Sequence, residues 1–273
     1  LLARKYGIEV EEERGTEETG RHEARQAILR GNEAFARSLL PYDPAEGITG
    51  EDENGEEDLR ALREAFSHFG VGICPPDAPE GFRRFRRRLV FPVRITGGQI
   101  AGFAGRYRGT EGAGTAKYVN SDDSEAYHKG RILYGLYEAV RAVRTEGDVL
   151  LCEGYKDVIA FHAAGLCGTA LTEDHVRMIR RLTGHVTLAL DPDPAGQAAT
   201  LRSARLLLAR GCEVGLLPLP GGMDPDEVFR RQGAEALRRL VRTEAVDYLS
   251  HRIREAAGRK GGPDAGGIRE GLG

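Results

Sequence analysis

At 273 residues, with 40% hydrophobic and 30% charged residues, the chain has the composition of an ordinary globular protein long enough for two domains. No apolar run approaches the ~20 residues of a membrane-spanning helix, and the opening residues have no signal-peptide layout. The net charge of −3 hides an asymmetry: residues 9–23 carry seven glutamates and 46–58 seven acids, whereas 82–131 hold eleven Lys/Arg against four acids.

A basic segment in an acidic chain points to a localised phosphate-binding surface. Arginine outnumbers lysine 34 to 5, which a GC-rich genome explains equally well, so only the position of the charge is informative. Cys74, Cys152, Cys167 and Cys212 form no C-x-x-C pair. Neither zinc nor a disulfide framework is expected, and buried reduced thiols fit a cytoplasmic protein. The opening Leu1-Leu2-Ala3-Arg4 enters helix-like sequence directly and reads as a piece of a longer chain.

In chain order, residues 1–40 read as helix broken at Gly15–Gly20, and 41–58 as an exposed loop rich in Pro, Gly and acids. A short helix is expected over 57–68, and Pro75, Pro76 and Pro79 mark turns before the basic run Arg83–Arg88. Leu89–Ile95, Gly97-Gly98 and Gln99–Arg106 read as a β-hairpin, with a further short strand at Lys117–Ser121. Leu133–Val143 reads as helix. An α/β rhythm follows: strand Asp148–Cys152, helix Val158–Ala164, and a helix capped by Thr172 running to Leu182. Strand His185–Leu190, helix Ala195–Arg210 and strand Glu213–Pro218 complete it, which predicts a parallel sheet covered on both faces. Asp224 to about Ala257 reads helical, and 258–273 is a glycine-rich tail expected to be disordered.

The acids fall at informative places. Glu153 directly follows the first of these strands, with Asp157 four residues on; Asp191 and Asp193 follow the second; Asp224 and Asp226 follow the third after a Pro-Gly-Gly turn. In an open parallel sheet, ligands bind beyond the carboxyl ends of the strands. Three neighbouring strand ends would gather these carboxylates in one crevice, where only a cation relieves their repulsion. Oxygen-only ligands suit Mg²⁺ or Mn²⁺ shared with substrate phosphates, and the chemistry so favoured is phosphoryl or nucleotidyl transfer. A structural reading stands beside it: Asp193-Pro194 and Asp224-Pro225 both have the form of a helix N-cap followed by proline. There is no phosphate loop, dinucleotide fingerprint, H-E-x-x-H or G-x-S-x-G motif.

The motifs Glu153-Gly154-Tyr155-x-Asp157, Asp191-x-Asp193-x-Ala195-Gly196 and Asp224-Pro225-Asp226 resemble the three signatures of the TOPRIM fold. Bacterial primases, topoisomerases and some nucleases share that fold. Upstream, Arg88-Leu89-Val90-Phe91-Pro92-Val93, Gly102-Phe103-Ala104-Gly105-Arg106, Lys117-Tyr118-Val119-Asn120-Ser121 and His128-Lys129-Gly130-Arg131-x-Leu133-Tyr134-Gly135 resemble, in order, the catalytic core of bacterial DNA primases. The similarity runs from about Arg83 to about Leu240. The resemblance implies a Rossmann-like α/β domain with a mostly parallel sheet over 147–228. A mixed α+β subdomain with a basic ridge (1–146) would precede it, and a helical segment with a disordered tail (229–273) would follow.

It further implies a bacterial polymerase of the replication fork that makes short RNA primers from NTPs on single-stranded DNA. Glu153 would be the central catalytic acid, and Asp191 and Asp193 would hold Mg²⁺ or Mn²⁺. Asp157, Asp224 and Asp226 would complete the acidic site, and Arg106, Lys117, Asn120 and Lys129 would contact template or nucleotide phosphates. For Arg83–Arg88, a solvated charge run weighs as much as a DNA contact. The family's zinc-binding and helicase-binding domains have no counterpart in this sequence, so a replicative helicase would be met through a domain absent here.

Three departures from the family pattern carry expectations of their own. Pro192 stands where the family has glycine between the metal aspartates, and a loop needing positive φ there would lose its metal geometry. The segment Ala163–Ala170 is short, which points to the loss of one central strand. The helical region between Phe69 and Phe82 is shortened. Pro192 and the shortened sheet motivate one alternative, a degenerate module that binds single strands without polymerising. A second, a TOPRIM nuclease or topoisomerase part, shares the three signatures but is opposed by the primase-like basic region.

Overall fold

Two β-sheets and eight α-helices make up the computed structural model, which describes residues 11–47, 56–109 and 115–259. Helix α1 (Glu11–Ser38) is continuous through Gly15 and Gly20, where the sequence predicted a break. An isolated glycine costs a helix only about 1 kcal/mol relative to alanine, too little by itself to break it. Leu29 and Phe35 are buried, and Asn32 Nδ2 donates to the carbonyls of Ile100 and Ala101 at 3.0 and 2.8 Å. After a 3-10 turn at Pro44–Gly47, within the expected loop, α2 covers Glu56–His68. The rest of that loop, 48–55, lies outside the described residues, as does the glycine-rich tail from 260 onward.

The first sheet is antiparallel: β1 (Gly72–Ile73), β2 (Arg88–Arg94), β3 (Ile100–Tyr107) and β4 (Tyr118–Asn120) lie in that order. The β2–β3 hairpin closes at Gly97-Gly98 as predicted. Both strands are buried almost throughout, which accounts for their unbroken apolar sequence in place of an alternating one. The arginine run before β2 is largely committed to structure. Arg88, 8% exposed, donates Nη1 to the carbonyl of Ala116 at 2.8 Å and Nε to that of Arg84 at 3.1 Å. Arg84 bonds Asp122 and the Asn120 carbonyl, and Arg86 the Ala78 carbonyl.

Helix α3 (Leu136–Glu146) leads into the second sheet, whose order is β6-β5-β7-β8-β9. Strands β5 (Asp148–Cys152), β6 (Ala164–Gly165), β7 (His185–Ala189) and β8 (Glu213–Leu216) are parallel. The short β9 (Val246–Asp247) is antiparallel to β8 and interrupts the expected helical tail. The strand whose loss Ala163–Ala170 suggested is therefore present. It is reduced to two residues at the sheet edge, pairing Ala164 and Gly165 with Leu151 and Cys152. The connecting helices are α4 (Tyr155–Phe161), α5 (Glu173–Arg180), α6 (Pro194–Ala209), α7 (Pro225–Glu244, kinked at Gly233) and α8 (Tyr248–Arg259). Helix α4 starts three residues before its expected start because Gly154 serves as N-cap, and it ends where His162 turns left-handed at φ 52°.

One core cluster joins the two sheets. Phe66, Phe69 and Phe91 from the first half pack with Tyr155, Val158, Ile159 and Phe229 from the second. Phe91, fully buried, lies 5.2 Å from the Tyr155 ring. Phe91→Ala and Ile159→Ala are each expected to destabilise the chain, by about 3–5 and 2–5 kcal/mol respectively. Both should lower the midpoint of one shared urea transition followed by circular dichroism. Two separated transitions, each sensitive to only one variant, would contradict a joint core.

Candidate active site

The carboxyl ends of β5, β7 and β8 face the same side of the second sheet, and each is followed by a turn into a helix. These turns position the acids. After β5, the Gly154 N–H donates to Asp157 Oδ2 at 3.0 Å, folding the first turn of α4 back over its own start. A Cβ at Gly154 would run into that same oxygen, so the turn requires glycine. After β7, Asp193 is the N-cap of α6, with Oδ1 accepting from Gly196 N–H at 2.7 Å and Pro194 at the first helical position. Gly196 is likewise obligatory, because a side chain would strike the Asp191 carbonyl. After β8, Asp224 caps α7, accepting from Glu227 N–H at 2.7 Å while Glu227 Oε2 accepts from Asp224 N–H at 3.2 Å. The capping reading of Asp193 and Asp224 thus holds for one oxygen of each.

Pro192 fits its loop. The non-glycine residues with positive φ among those described are Arg87, His162 and Cys167, and the Pro192 carbonyl accepts from Gln197 Nε2 at 3.0 Å.

The acids feel one another. Burial raises the Glu153 carboxyl, and Asp191 and Asp193 raise it further while Arg202 opposes them. Asp191 is raised by burial, then by Asp224 and Asp193, with Lys117 opposing. Asp224 is raised by burial and by Asp226. Asp157, 7% exposed, is pushed up to about 7 by burial and by Asp224, Asp226 and Asp191, even though its Oδ1 accepts from the Asp226 N–H at 3.3 Å. Asp226 itself is neutralised, lying 3.4 Å from Lys156 Nζ and 3.2 Å from Arg230 Nε.

A cavity of about 850 Å³ opens over these strand ends. Of the acids, Glu153, Asp157 and Asp191 line it. Asp193 and Asp224 act on it electrostatically from outside the lining, and Asp226 stands behind Asp157. Of the basic-ridge residues, Asn120 and Lys129 line it; Arg106 and Lys117 do not, although both lie close enough to act on Tyr118 and Asp191. Asn120 is tied to the acidic side directly, its Oδ1 accepting from Tyr155 Oη–H at 2.5 Å, and Tyr118 stacks on Tyr155 with centroids 5.6 Å apart.

Sequence reasoning missed Tyr118, Tyr155 and Arg202 in the lining. The spacing of Ala195, Ala199, Arg202 and Leu206 marks one face of α6 and is the signal that would have placed Arg202.

Among the described residues, no three His, Cys, Asp or Glu side chains converge as a ready-made metal cage. Glu153, Asp157 and Asp191 are the carboxylates of the lining that could hold Mg²⁺, an ion that keeps several waters and is bound by one or two carboxylates together with substrate phosphates.

A carboxyl whose folded pKa lies above its unfolded value binds more protons when folded, so it lowers stability as pH rises through that window. Asp157, pushed up to about 7, should make the chelator-treated protein melt at higher temperature at pH 6.5 than at pH 8.5. Below pH 6.5 the buried His162 and His175, both lowered, act in the opposite sense. Added Mg²⁺ should raise the melting temperature most at pH 8.5. A flat or reversed profile in scanning calorimetry would show that Asp157 is not crowded.

Residues 63–140 match the family pattern described as DNA primase catalytic core, N-terminal domain, and residues 150–229 match the Toprim-like family. The chain is 41% identical over 179 residues to a DNA primase of Halalkalibacterium halodurans, covering 63% of this chain and 29% of that protein. It is 36% identical over the same length to the DNA primase of Staphylococcus aureus. In structure it is similar to the Aquifex aeolicus primase zinc-binding and RNA polymerase domains, with TM-score 0.71 and 28% identity, over 95% of this chain and 69% of that one. It is also similar to a DnaG primase catalytic domain bound to single-stranded DNA, with TM-score 0.69 and 26% identity, over 87% and 84% of the two chains. The chain spans less than a third of the length of the curated relatives it matches.

Proposed function

We propose that the chain is a catalytic core of the bacterial DNA primase kind, a nucleotidyltransferase making short RNA primers on single-stranded DNA, a reading supported by its matches to the primase-core and Toprim-like family patterns. The observation that carries this reading is the cavity in which Glu153, Asp157 and Asp191, at two parallel strand ends, face Lys129 and Asn120 from the basic half. Acids on one wall and cationic or amide groups on the other suit a reaction joining a phosphate to a hydroxyl on a polyanionic template.

Glu153 is the central catalytic acid. Its raised proton affinity suits it to accept the proton of the primer 3′-hydroxyl as that oxygen attacks the α-phosphate of the incoming NTP. Asp191 and Asp193 would hold Mg²⁺ or Mn²⁺, with Asp157 and Asp224 completing the acidic set. Asp226, already paired with Lys156 and Arg230, orients Asp157 through its backbone N–H. When bound, the cation supplies hydroxyl activation and charge stabilisation on the leaving oxygen. Lys129 and Asn120 orient nucleotide phosphates within the cavity, while Arg106 and Lys117 contact template phosphates along the ridge.

In functional terms the chain divides into a basic subdomain at 1–146, a catalytic domain at 147–228 and a helical segment at 229–273. A replication-fork setting in the bacterial cytoplasm follows from the same reading, with any replicative helicase met through sequence outside this chain. No helix among the described residues is long and apolar enough to cross a membrane.

Ribonucleotide incorporation on single-stranded DNA, measured at high protein and template concentration with Mg²⁺ or Mn²⁺, tests the proposal beside Glu153→Gln. The wild type should incorporate, and the variant should fall by about 10²–10⁴-fold while keeping its oligonucleotide affinity. Full activity in the variant would remove Glu153 from the mechanism. DNA binding without incorporation would turn the reading to a binding module, and metal-dependent nicking without incorporation to a TOPRIM nuclease.

A further inference from the structure

The basic loop that carries Lys129 is fastened to the catalytic domain at three successive residues, all by the first turn of α5. His175 Nε2 lies 3.3 Å from the Lys129 carbonyl, Thr172 Oγ1–H donates to the Gly130 carbonyl at 2.6 Å, and Arg131 Nε donates to Asp174 Oδ2 at 3.1 Å. His175 has no solvent exposure, and both ring nitrogens are engaged. Thr172 N–H donates to Nδ1 at 3.2 Å, so Nδ1 is unprotonated and Nε2 carries the hydrogen that points at Lys129. Burial lowers the imidazole, which keeps this neutral tautomer at neutral pH. The Lys129 side chain then runs into the cavity, with Nζ packed over Gly168, 3.4 Å from where a Cβ there would sit.

We propose that His175 is a positioning residue. By holding the Lys129 backbone against the catalytic domain, it sets where the Lys129 ammonium meets nucleotide or template phosphate. The proposal rests on the primase reading for the identity of the ligand, but the fastening itself does not. The competing account is that His175 only caps α5, because its Nδ1 bond closes a reciprocal box with Thr172, whose Oγ1 accepts from His175 N–H at 3.1 Å.

The two accounts separate by substitution. An asparagine at 175 places a δ-oxygen where Nδ1 was. Asp157, the equivalent third residue of α4, shows that a δ-oxygen spans this distance, since it accepts from Gly154 N–H at 3.0 Å. His175→Asn therefore keeps the cap and loses the tie to Lys129. His175→Gln instead places an amide N–H near the Nε2 position and restores the tie.

The test is a double-mutant cycle of His175→Asn with Lys129→Ala, read as the KM and kcat for NTP incorporation. The same cycle is read in parallel as affinity for a fluorescent single-stranded oligonucleotide in Mg²⁺, with melting temperatures beside it. The expected result is a rise of about 5- to 10-fold in KM or Kd for each single variant, the size of one lost ordinary hydrogen bond. The double variant should be no worse than Lys129→Ala alone, and His175→Gln should recover most of the loss. Melting of His175→Asn should stay within a few degrees of wild type. Additive effects, an unaffected His175→Asn, a silent Lys129→Ala, or equal unfolding of the Asn and Gln variants would each overturn the positioning role. An inactive wild type would sink the polymerase reading, while the oligonucleotide arm would still decide the fastening.

Discussion

Like charges at the ends of adjacent strands set the terms for much of the rest of this structure. Glu153, Asp157, Asp191 and Asp224 are all raised by burial, and each is raised further by other acids of the group. Packed carboxylates of this kind stay together only if the surrounding fold over-determines them. The parallel pairing of β5 with β7 and of β7 with β8 brings the acids to one edge of the sheet: Glu153 directly follows β5 and Asp191 comes just after β7, while Asp157 sits in the first turn of α4 and Asp224 caps α7. Gly154 and Gly196 then let the chain turn tightly enough to keep them there. Asp157 shows the strain most plainly: a carboxyl that titrates near 7 with two backbone N–H donors is being held in a place that water would not give it.

The basic half has to be set against this cluster without being drawn into it. Two kinds of contact hold it there. The shared aromatic core, in which Phe91 meets Tyr134 and Tyr155, makes the two sheets one packed unit at the base of the cavity. Above it, polar ties of defined length fix individual residues: Tyr155 to Asn120, and the first turn of α5 to residues 129–131. Burial supplies the energy, and the hydrogen bonds supply the register. The arginines of the run before β2 are committed within the basic half itself, Arg84 to Asp122 and the Asn120 carbonyl and Arg86 to the Ala78 carbonyl. Arg88 is buried against backbone carbonyls, which is a use of guanidinium that needs several acceptors in a fixed geometry.

What could be read from the sequence follows the same division. Strands β2, β3, β5, β7 and β8 were legible because each is a local apolar run, and their order along the chain implied a crevice beyond their ends. The acids were legible for that reason. Strand β6 was not, since Ala164-Gly165 has neither length nor β-branched residues and exists only because the edge of β5 offers it partners. The continuity of α1 across Gly15 and Gly20 was not legible either, because two glycines read as a break although each costs a helix only about 1 kcal/mol relative to alanine. The basic run read equally as solvated charge or as a DNA contact because a sequence states the charge of Arg88 but not the carbonyls that surround it. Arg202 and His175 were hidden for a related reason: each matters through what a different segment brings to it.

Capping engages one oxygen of Asp193 and one of Asp224, so it is compatible with the metal role proposed for both side chains. Each gives one oxygen to cap a helix, and in doing so places the N-terminus of that helix beside the acidic cluster. Helix α4 begins there as well, one residue after Gly154. Three helix starts therefore face the crowded carboxylates, and each brings partial positive charge worth roughly 0.3–1 kcal/mol to a nearby anion. Proline at the first position of α6 and of α7 fits this role, since it presets the helical φ where no N–H is needed. Pro192 adds one more fixed φ to the same turn, and its carbonyl is held by Gln197 from within α6. A glycine at 192 would leave that turn freer in the unfolded chain and no better bonded in the folded one. The substitution that looked like decay in the sequence is thus compatible with a more rigid version of the same acidic turn.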